Sequence, residues 1–368
     1  MSARGRMARV GLLLGGCAVG ILLAELLARV IQPGGGAELL MGALVTPPGM
    51  YAGDPFLMYG PVPGFSAKGR SLAGEVEVRL NSLGLRGAEP AAMLPLQRWL
   101  VIGDSFALSL QVPEAQTFEA LLGERLGAST EVWNGGVEGY STWQATRRYW
   151  RVDGALGSTA VLLVFFLGND LYDNAWFPGV IQRWDPSMFV QPPPPSGLAG
   201  WLEGRSFLFA QARVWQNRRH VADDPKKMER WSQELALFTR SGGVQVQQMA
   251  SYTEAAIREL KASTDRAGDQ LVVAVAPPAF QVETARAAGT LSMVGLDPAD
   301  ADLEGPRWVV NDLLARAGVT SCDLVDPLRG AAAEGKETYF KFDGHWTPAG
   351  HRVVAEALEQ CLRVGGGR

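Results

Sequence analysis

From about residue 95 onward, short apolar runs alternate with longer stretches that are typical of helices. Buried parallel strands look like continuous apolar runs, and helices alternating with such strands cover both faces of the sheet. The pattern therefore predicts an α/β domain with a parallel sheet between two helical layers. The predicted strands lie at 99–102, 131–133, 160–167, 271–276 and 322–325, and the predicted helices include 117–126, 245–264 and 348–362.

The N-terminus carries a second pattern, an apolar stretch of 22 residues at positions 10–31 that follows three arginines. This length is sufficient for a helix to span a bilayer, and the basic flank favours a cytoplasmic N-terminus with the remainder exported. We predict an uncleaved membrane anchor at 1–31. A cleaved signal peptide is an alternative, although no clear A-x-A site precedes Arg29. The stretch also fits a lipoprotein signal ending at Cys17 or a buried helix of a soluble protein.

Residues 32–94 have a different character, since Gly and Pro are frequent at 32–50 and polar and apolar residues alternate at 75–80. The first feature predicts a stalk, and the second predicts a small β element that turns at 81–84. The catalytic domain is then expected at 95–368.

An insertion at about 171–244 interrupts the alternation of strands and helices in this domain. It includes the polyproline segment 192–195 and five tryptophans. An insertion here would either overhang the site and shape its pocket, or pack on the membrane or the neck. The tryptophans are Trp176, Trp184, Trp201, Trp215 and Trp231.

Composition excludes several classes of protein. Charged residues make up 20% and hydrophobic residues 47% of the chain, as in globular proteins, so wholesale disorder is not expected. The net charge of −4 without a long basic run argues against a nucleic-acid partner. Neither His nor Cys shows the spacing of a metal site, so no metal or other cofactor is expected.

The three cysteines suggest one possible crosslink. Cys17 belongs to the apolar N-terminal stretch, which leaves Cys322 and Cys361 in the exported part, where oxidising conditions allow a disulfide. We expect Cys322 to begin a strand and Cys361 to end the last helix, on adjacent elements. Two buried free thiols are an equally good interpretation.

Candidate chemistry begins with Gly103-Asp104-Ser105, directly after the first predicted strand. Active sites of open α/β sheets lie at the carboxyl ends of strands, so Ser105 is a candidate nucleophile. Asp104 is expected to fix the turn through bonds to the backbone. Taken alone, the tripeptide is more typical of a plain strand-to-helix turn in which Ser105 caps the helix.

A serine nucleophile needs a base, and the chain has only three histidines. His345 follows Asp343 by two residues, so the carboxylate can fix the imidazole tautomer and leave the other nitrogen for the serine proton. His220 lies in a basic stretch of the insertion and is expected to be solvated. His351 falls within the last helix, where capping or packing in that helix is the simpler role.

The order of four sequence blocks resembles the GDSL/SGNH hydrolase family, over about 95–362. The resemblance implies a flavodoxin-like three-layer fold and acyl transfer through a serine ester. The spacing Asp343-x-His345-Trp346 departs from the commonest Asp-x-x-His and is similar to members that handle acetyl groups on bacterial exopolysaccharides. The blocks are Gly103-Asp104-Ser105, Asn134-Gly135-Gly136-Val137-Glu138-Gly139, Leu167-Gly168-Asn169-Asp170 and Phe342-Asp343-Gly344-His345-Trp346.

Acyl transfer passes through an oxyanion, which needs preorganised hydrogen-bond donors. The backbone N–H of Ser105 is one candidate. The resemblance implies two more, the backbone N–H of Gly139 and the side-chain amide of Asn169. Singly, Gly139 is also explained as a turn glycine and Asn169 as a loop residue bonding its own backbone.

These observations predict a membrane-anchored, extracytoplasmic or periplasmic serine esterase. The expected substrate is a small acyl ester, above all an acetyl ester of an envelope or exported carbohydrate. An O-acetyltransferase with the same triad is the alternative within enzymes, and a non-catalytic scaffold of an envelope assembly is the alternative outside them. The membrane is the one macromolecular partner that the sequence indicates.

Overall fold

The computed structural model describes most of the chain outside the predicted stalk and part of the insertion. The predictions for 32–45, the polyproline residues 192–195, Trp215, His220 and Phe342 lie outside the described residues. The described residues are 3–31, 46–71, 73–90, 97–191, 197–202, 205–206, 208–209, 212, 225–341 and 343–365.

A five-stranded parallel sheet forms the centre of the domain, as the apolar runs predict. Successive residues of each strand point to opposite faces, so one run supplies both cores. Leu100 and Ile102 pack in one core and Trp99 and Val101 in the other. The strands are β5 (Gln97–Gly103), β6 (Thr130–Asn134), β7 (Ala160–Phe166), β8 (Gln270–Ala276) and β9 (Thr320–Asp323).

The strand order β6-β5-β7-β8-β9 gives the flavodoxin-like topology. The order reverses between β5 and β7, where Gly103 pairs with Val164 at the carboxyl ends of the two strands. Such a switch point leaves a crevice for a site outside the strand ends. The fold prediction of a three-layer α/β/α domain is therefore confirmed.

Helices cover both faces of the sheet. The core that contains Leu100 and Ile102 packs against helices at 142–156, 243–267 and 305–316, and the core that contains Trp99 and Val101 packs against helices at 118–126, 325–333 and 348–365. The helices of the domain and insertion are α2 (Ser105–Leu108), α3 (Phe118–Leu126), α4 (Thr142–Leu156), α5 (Asp170–Ile181), α6 (Gly197–Leu202), α7 (Pro225–Ala236), α8 (Gly243–Ala267), α9 (Ala279–Val282), α10 (Ala287–Met293), α11 (Gly305–Arg316), α12 (Val325–Ala333) and α13 (Pro348–Gly365). Short 3₁₀ turns lie at Glu114–Gln116, Pro186–Met188, Thr284–Arg286 and Pro298–Asp300.

The N-terminal residues form one long helix, α1 (Ala3–Ile31). Its window Gly11–Ala28 has a mean hydropathy of 2.1 and is not buried, and it is the one described helix that is long and apolar enough to cross a membrane. Its Glu25 carboxylate accepts hydrogen bonds at 3.0 Å from Ser206 Oγ and from Leu208 N, which belong to the insertion.

Two antiparallel hairpins precede the sheet, in agreement with the predicted β element. The first joins β1 (Tyr51–Asp54) to β2 (Met58–Pro61), and the second joins β3 (Ser66–Ser71) to β4 (Gly74–Arg79). The turn at 81–84 is fixed by the Asn81 carboxamide, whose Oδ1 accepts from the backbone of Leu83 and Leu85.

The first part of the insertion packs on the β1–β2 hairpin. This contact corresponds to the alternative in which the insertion packs on the neck, the segment between the N-terminal helix and the sheet. Trp184 Nε1 donates to Asp54 O at 3.1 Å, and Gln191 bonds the backbone of Pro47 and Gly49. Phe189 stacks on Tyr59 with ring centroids 5.2 Å apart. This part of the insertion therefore braces the N-terminal hairpin.

Cys322 and Cys361 form a disulfide that joins β9 to α13. The expectation that Cys322 begins its strand is wrong, because β9 starts at Thr320 and Val325 already belongs to α12. The expectation that Cys361 ends the last helix is also wrong, since α13 continues to Gly365. The alternative of two free thiols is excluded in this structure.

Candidate active site

Ser105 is the first residue of α2 and lies half-buried at the switch point of the sheet. The alternative in which Ser105 caps this helix is wrong. The cap is Asp104, whose Oδ1 accepts from Phe106 N at 2.9 Å, so Asp104 fixes the turn as predicted. The Ser105 hydroxyl is thereby left available to other partners.

The C-terminal block brings a histidine to this hydroxyl. Nε2 of His345 lies 2.8 Å from Ser105 Oγ, and Nδ1 lies 2.6 Å from Asp343 Oδ1. The two-residue spacing works because Asp343 Oδ1 also accepts from His345 N at 3.1 Å, and Gly344 turns the chain with a φ of +84°. A carboxylate on Nδ1 holds the proton there, which leaves Nε2 as an acceptor for the serine proton.

Aromatic packing holds the imidazole in place. The Phe106 ring lies 4.7 Å from that of His345 and 4.8 Å from that of Trp346, measured between centroids. Trp346 is fully buried, and His345 O accepts from Phe340 N at 2.8 Å. The block is therefore anchored on both sides of His345.

Burial and charge act in opposite directions on the His345 imidazole. Burial alone would lower its pKa, but the Asp343 carboxylate, in contact with it, and the nearby Asp104 raise the pKa above its ordinary value. Burial also raises the pKa of Asp104 to about 6. The pKa of Asp170 is raised by burial and by the neighbouring Asp104.

The three expected oxyanion donors follow three neighbouring strands. Ser105 follows β5, Gly139 lies in the loop after β6, and Asn169 follows β7. Asn169 is the cap residue of α5, yet its side chain makes no capping bond, and its Oδ1 is buried without a partner among the described residues. The alternative that this side chain bonds its own backbone is thus not observed.

A family match covers the part of the chain that carries Asp343 and His345. Residues 234–365 match the family model of the SGNH hydrolase-like domain of the acetyltransferase AlgX. The matched segment includes Asp343 and His345, and the Ser, Gly and Asn blocks precede it. Over these residues the chain is similar to an SGNH hydrolase-like domain. The protein is an enzyme, either an ester hydrolase or an acyltransferase.

Several solved structures resemble the chain at low sequence identity. The crystal structure of TesA is 13% identical, covering 73% of this chain and 99% of that one, with a TM-score of 0.39. A catalytic mutant of Axe2, an acetylxylan esterase from Geobacillus stearothermophilus, is 13% identical, covering 74% of this chain and 96% of that one, with a TM-score of 0.38. A lipolytic protein of the G-D-S-L family from Veillonella parvula is 11% identical, covering 72% of this chain and 97% of that one, and its TM-score is also 0.38. No curated protein matches the chain.

The sequence analysis placed Asn134, at the end of β6, in the second block but assigned it no role, and the structure shows that it holds the site together. Its Nδ2 donates to Ala107 O at 2.8 Å and to Glu119 Oε1 at 3.0 Å, and its Oδ1 accepts from Gly136 N at 3.1 Å. It therefore ties the loop after β6 to the serine helix. Burial raises the pKa of Glu119 to about 8. A polar residue at the end of a buried strand was the available signal.

The structure also corrects the role of His351. It is buried in α13, but it does not act within that helix: its Nδ1 accepts from the backbone N–H of Phe118, at the start of α3, at 3.1 Å. Burial, together with the charges of Arg86 and His345, lowers its pKa to about 3. His351 thus remains neutral and satisfies an N–H that has no partner inside α3.

Proposed function

We propose that the protein is an extracytoplasmic serine esterase that removes small acyl groups, above all acetyl groups, from envelope or exported carbohydrate. The observation that carries the proposal is the continuous hydrogen-bonded chain from Ser105 Oγ through His345 to Asp343. A non-catalytic scaffold would not require this chain to be intact. Ser105, His345 and Asp343 are the proposed catalytic residues.

In the first half of the reaction, Ser105 Oγ attacks the ester carbonyl carbon while Nε2 of His345 takes the hydroxyl proton. Asp343 stabilises the imidazolium that forms. The N–H groups of Ser105 and Gly139 and the amide of Asn169 are the proposed donors to the oxyanion. The tetrahedral species then collapses, the carbon–oxygen bond to the sugar breaks, and the sugar oxygen leaves with the proton from Nε2.

In the second half, an incoming hydroxyl compound resolves the acyl-serine. Nε2 removes a proton from water, the resulting oxygen attacks the acyl carbon, and Ser105 leaves as the alcohol when Nε2 returns the proton. Free acetate is the second product. No metal or other cofactor is required for these steps.

An O-acetyltransferase is the second candidate function, and the match of residues 234–365 to the acetyltransferase AlgX favours it. The chemistry differs only in the second half, where a sugar hydroxyl takes the place of water. Incubation with a small acetyl ester and a glycan acceptor separates the two. Release of free acetate supports the esterase, whereas acetyl groups on the acceptor support the transferase. The Ser105→Ala variant is the control, and turnover that persists in it would refute both.

The location is part of the proposal. The exposed apolar window Gly11–Ala28 supports an anchor at 1–31 with the catalytic domain on the extracytoplasmic side, and the disulfide is consistent with an oxidising compartment. A cysteine-accessibility assay on intact spheroplasts tests this topology. A new cysteine at the exposed Met293 should react with an impermeant maleimide. Labelling only after lysis would contradict the location.

A further inference from the structure

The β-turn that carries Gly139 is of a kind whose backbone has two related geometries, types I and II. Tyr140 N donates to Val137 O at 3.2 Å, which closes a β-turn with Glu138 and Gly139 at its centre. Gly139 has a φ of +69°, whereas Glu138 does not have a positive φ. This combination defines a type II turn. Types I and II differ mainly by a flip of the central peptide, here the one between Glu138 and Gly139.

The direction of the Gly139 N–H depends on that flip. In a trans peptide the carbonyl of one residue and the N–H of the next point in opposite directions. A partner that holds the Glu138 carbonyl therefore also aims the Gly139 N–H to the other side. In the flipped, type I turn, the Glu138 carbonyl oxygen would occupy that side and would repel an oxyanion.

The N-terminal hairpin supplies this partner. Tyr59 Oη, on β2, donates to Glu138 O at 2.5 Å, and Tyr51 Oη, on β1, accepts from Glu138 N at 3.4 Å. Both backbone groups of Glu138 are thus held by tyrosine hydroxyls. Thr46 Oγ1 donates to the Glu138 carboxylate, so the side chain is held from the same side.

Tyr59 is itself fixed from several sides. Its ring lies between Phe189 of the insertion and the rings of Tyr51 and Tyr140, with centroids 5.2–5.6 Å away. Tyr140 Oη donates to Tyr59 O at 2.5 Å. Burial raises the pKa of Tyr59 well above its ordinary value, so its hydroxyl remains a donor throughout the neutral range.

Sterics couple Tyr59 to Gly139 directly. A Cβ atom added to Gly139 would lie 2.9 Å from Tyr59 Oη. The Tyr59 hydroxyl therefore occupies space that a side chain at position 139 would need. This close approach, together with the positive φ, explains why the position needs glycine.

We propose that Tyr59 is a positioning residue of the oxyanion site, which holds the Glu138–Gly139 peptide in the orientation that presents the Gly139 N–H to the ester oxygen. The inference rests on the proposed function, in which Gly139 is an oxyanion donor. The hydrogen bond at the carbonyl also polarises the same peptide and strengthens its N–H as a donor. Through Tyr59, the β1–β2 hairpin thereby sets the geometry of the oxyanion site.

The test is Tyr59→Phe in the full chain, with Tyr149→Phe as the matched control. Tyr149 loses a comparable buried hydroxyl bond, to Asp269 at 2.8 Å, at a distance from the turn. We expect Tyr59→Phe to lower kcat by about tenfold or more with KM changed less than about twofold, because the lost effect is confined to the transition state. Affinity for a small boronic acid that forms a tetrahedral adduct with Ser105 should fall by a similar factor. Tyr149→Phe should lower the thermal midpoint and leave kcat and boronate affinity within about twofold.

A double variant gives a result that a loss of folding stability in Tyr59→Phe would not produce. Gly139→Ala places a methyl group against Tyr59 Oη, and Tyr59→Phe removes that oxygen, so the double variant should be no less active than Gly139→Ala alone. Additive losses, or a kcat of Tyr59→Phe within about twofold of the wild type, would overturn the inference. If one of these outcomes is found for Tyr59 while Ser105→Ala is inactive, the role of Tyr59 is refuted and the proposed function is retained. Turnover by Ser105→Ala would overturn both.

Discussion

His345 Nε2 lies 2.8 Å from Ser105 Oγ although the two residues are 240 positions apart in the chain. The fold makes this contact by ending β5 at the switch point of the sheet and by anchoring the last block through the buried Trp346. His351, six positions further on, bonds a helix N–H instead. We therefore propose separable roles for the two histidines, His345 in the chemistry and His351 in stability.

Substitution should separate these roles. His345→Ala should reduce turnover by about 10³-fold or more, and the double variant with Ser105→Ala should be little worse than either single variant, as for residues that act as a unit. His351→Gln, which offers Phe118 N an oxygen acceptor, should retain most of the activity. Steady-state kinetics on an acetyl ester measures both effects. The reverse pattern for the two histidines would remove Asp343 and His345 from the mechanism.

His351 should also govern part of the acid stability. Its folded pKa of about 3 lies below the ordinary value of about 6.5, so between these pH values the unfolded chain binds a proton that the folded chain does not. The free energy of unfolding should therefore fall by up to about 1.4 kcal/mol for each pH unit below about 6.5. In His351→Gln this contribution is absent, and urea unfolding at pH 7 and pH 5 should show a shallower decline. An unchanged decline would contradict the assignment.

The pH dependence of catalysis should follow the raised pKa of His345. The base is active when neutral, so kcat/KM should rise with pH through a pKa above about 6.5 and then level off. Asp343→Asn removes the charge that raises this pKa. The acid limb should then move to lower pH while the plateau falls by several orders of magnitude. A limb that stays in place would show that another group titrates.

Asn169 should contribute mainly to the transition state. Asn169→Ala is expected to slow kcat by about 10²-fold with little change in KM, as found for a single oxyanion donor. Asn169→Asp, which replaces the amide donor with an acceptor, should be at least as damaging. An effect confined to KM would instead make Asn169 a substrate-binding residue.

The disulfide should stabilise the part of the domain that carries His345. The bond closes a segment with a sequence separation of 39, for which the loop-entropy relation gives about 4 kcal/mol. Cys361→Ser should lower the free energy of unfolding by up to this amount, whereas Cys17→Ser in α1 should not. Mass spectrometry of an unreduced digest should find Cys322 and Cys361 in one linked pair. Two alkylatable thiols in unreduced, denatured protein would contradict the bond.

Strands and site blocks could be predicted because their signals are local. Each of the five apolar runs became a strand, since a buried parallel strand needs apolar residues on both faces. The run at 322–325 misled at both ends, because β9 begins at Thr320, and the buried Leu324 and Val325 cap and begin α12. Apolar character alone does not distinguish the end of a buried strand from the start of a buried helix.

Contacts between distant residues could not be predicted in this way. The spacing of His351 in its helix indicates a buried face, but not that the ring meets the first N–H of α3. Likewise, the alternation in the N-terminal segment predicts a β element, but not that Tyr59 would bond the carbonyl of Glu138. Such contacts depend on packing between elements far apart in sequence.

The most direct test of the central claim is labelling of the intact protein with a serine-directed fluorophosphonate, followed by peptide mapping. A hydroxyl activated by His345 should react once per chain, at Ser105, with loss of ester turnover in parallel. Ser105→Ala and His345→Ala should remain unlabelled, and His351→Gln should be labelled normally. Modification of another residue, or turnover that survives complete labelling of Ser105, would contradict the account.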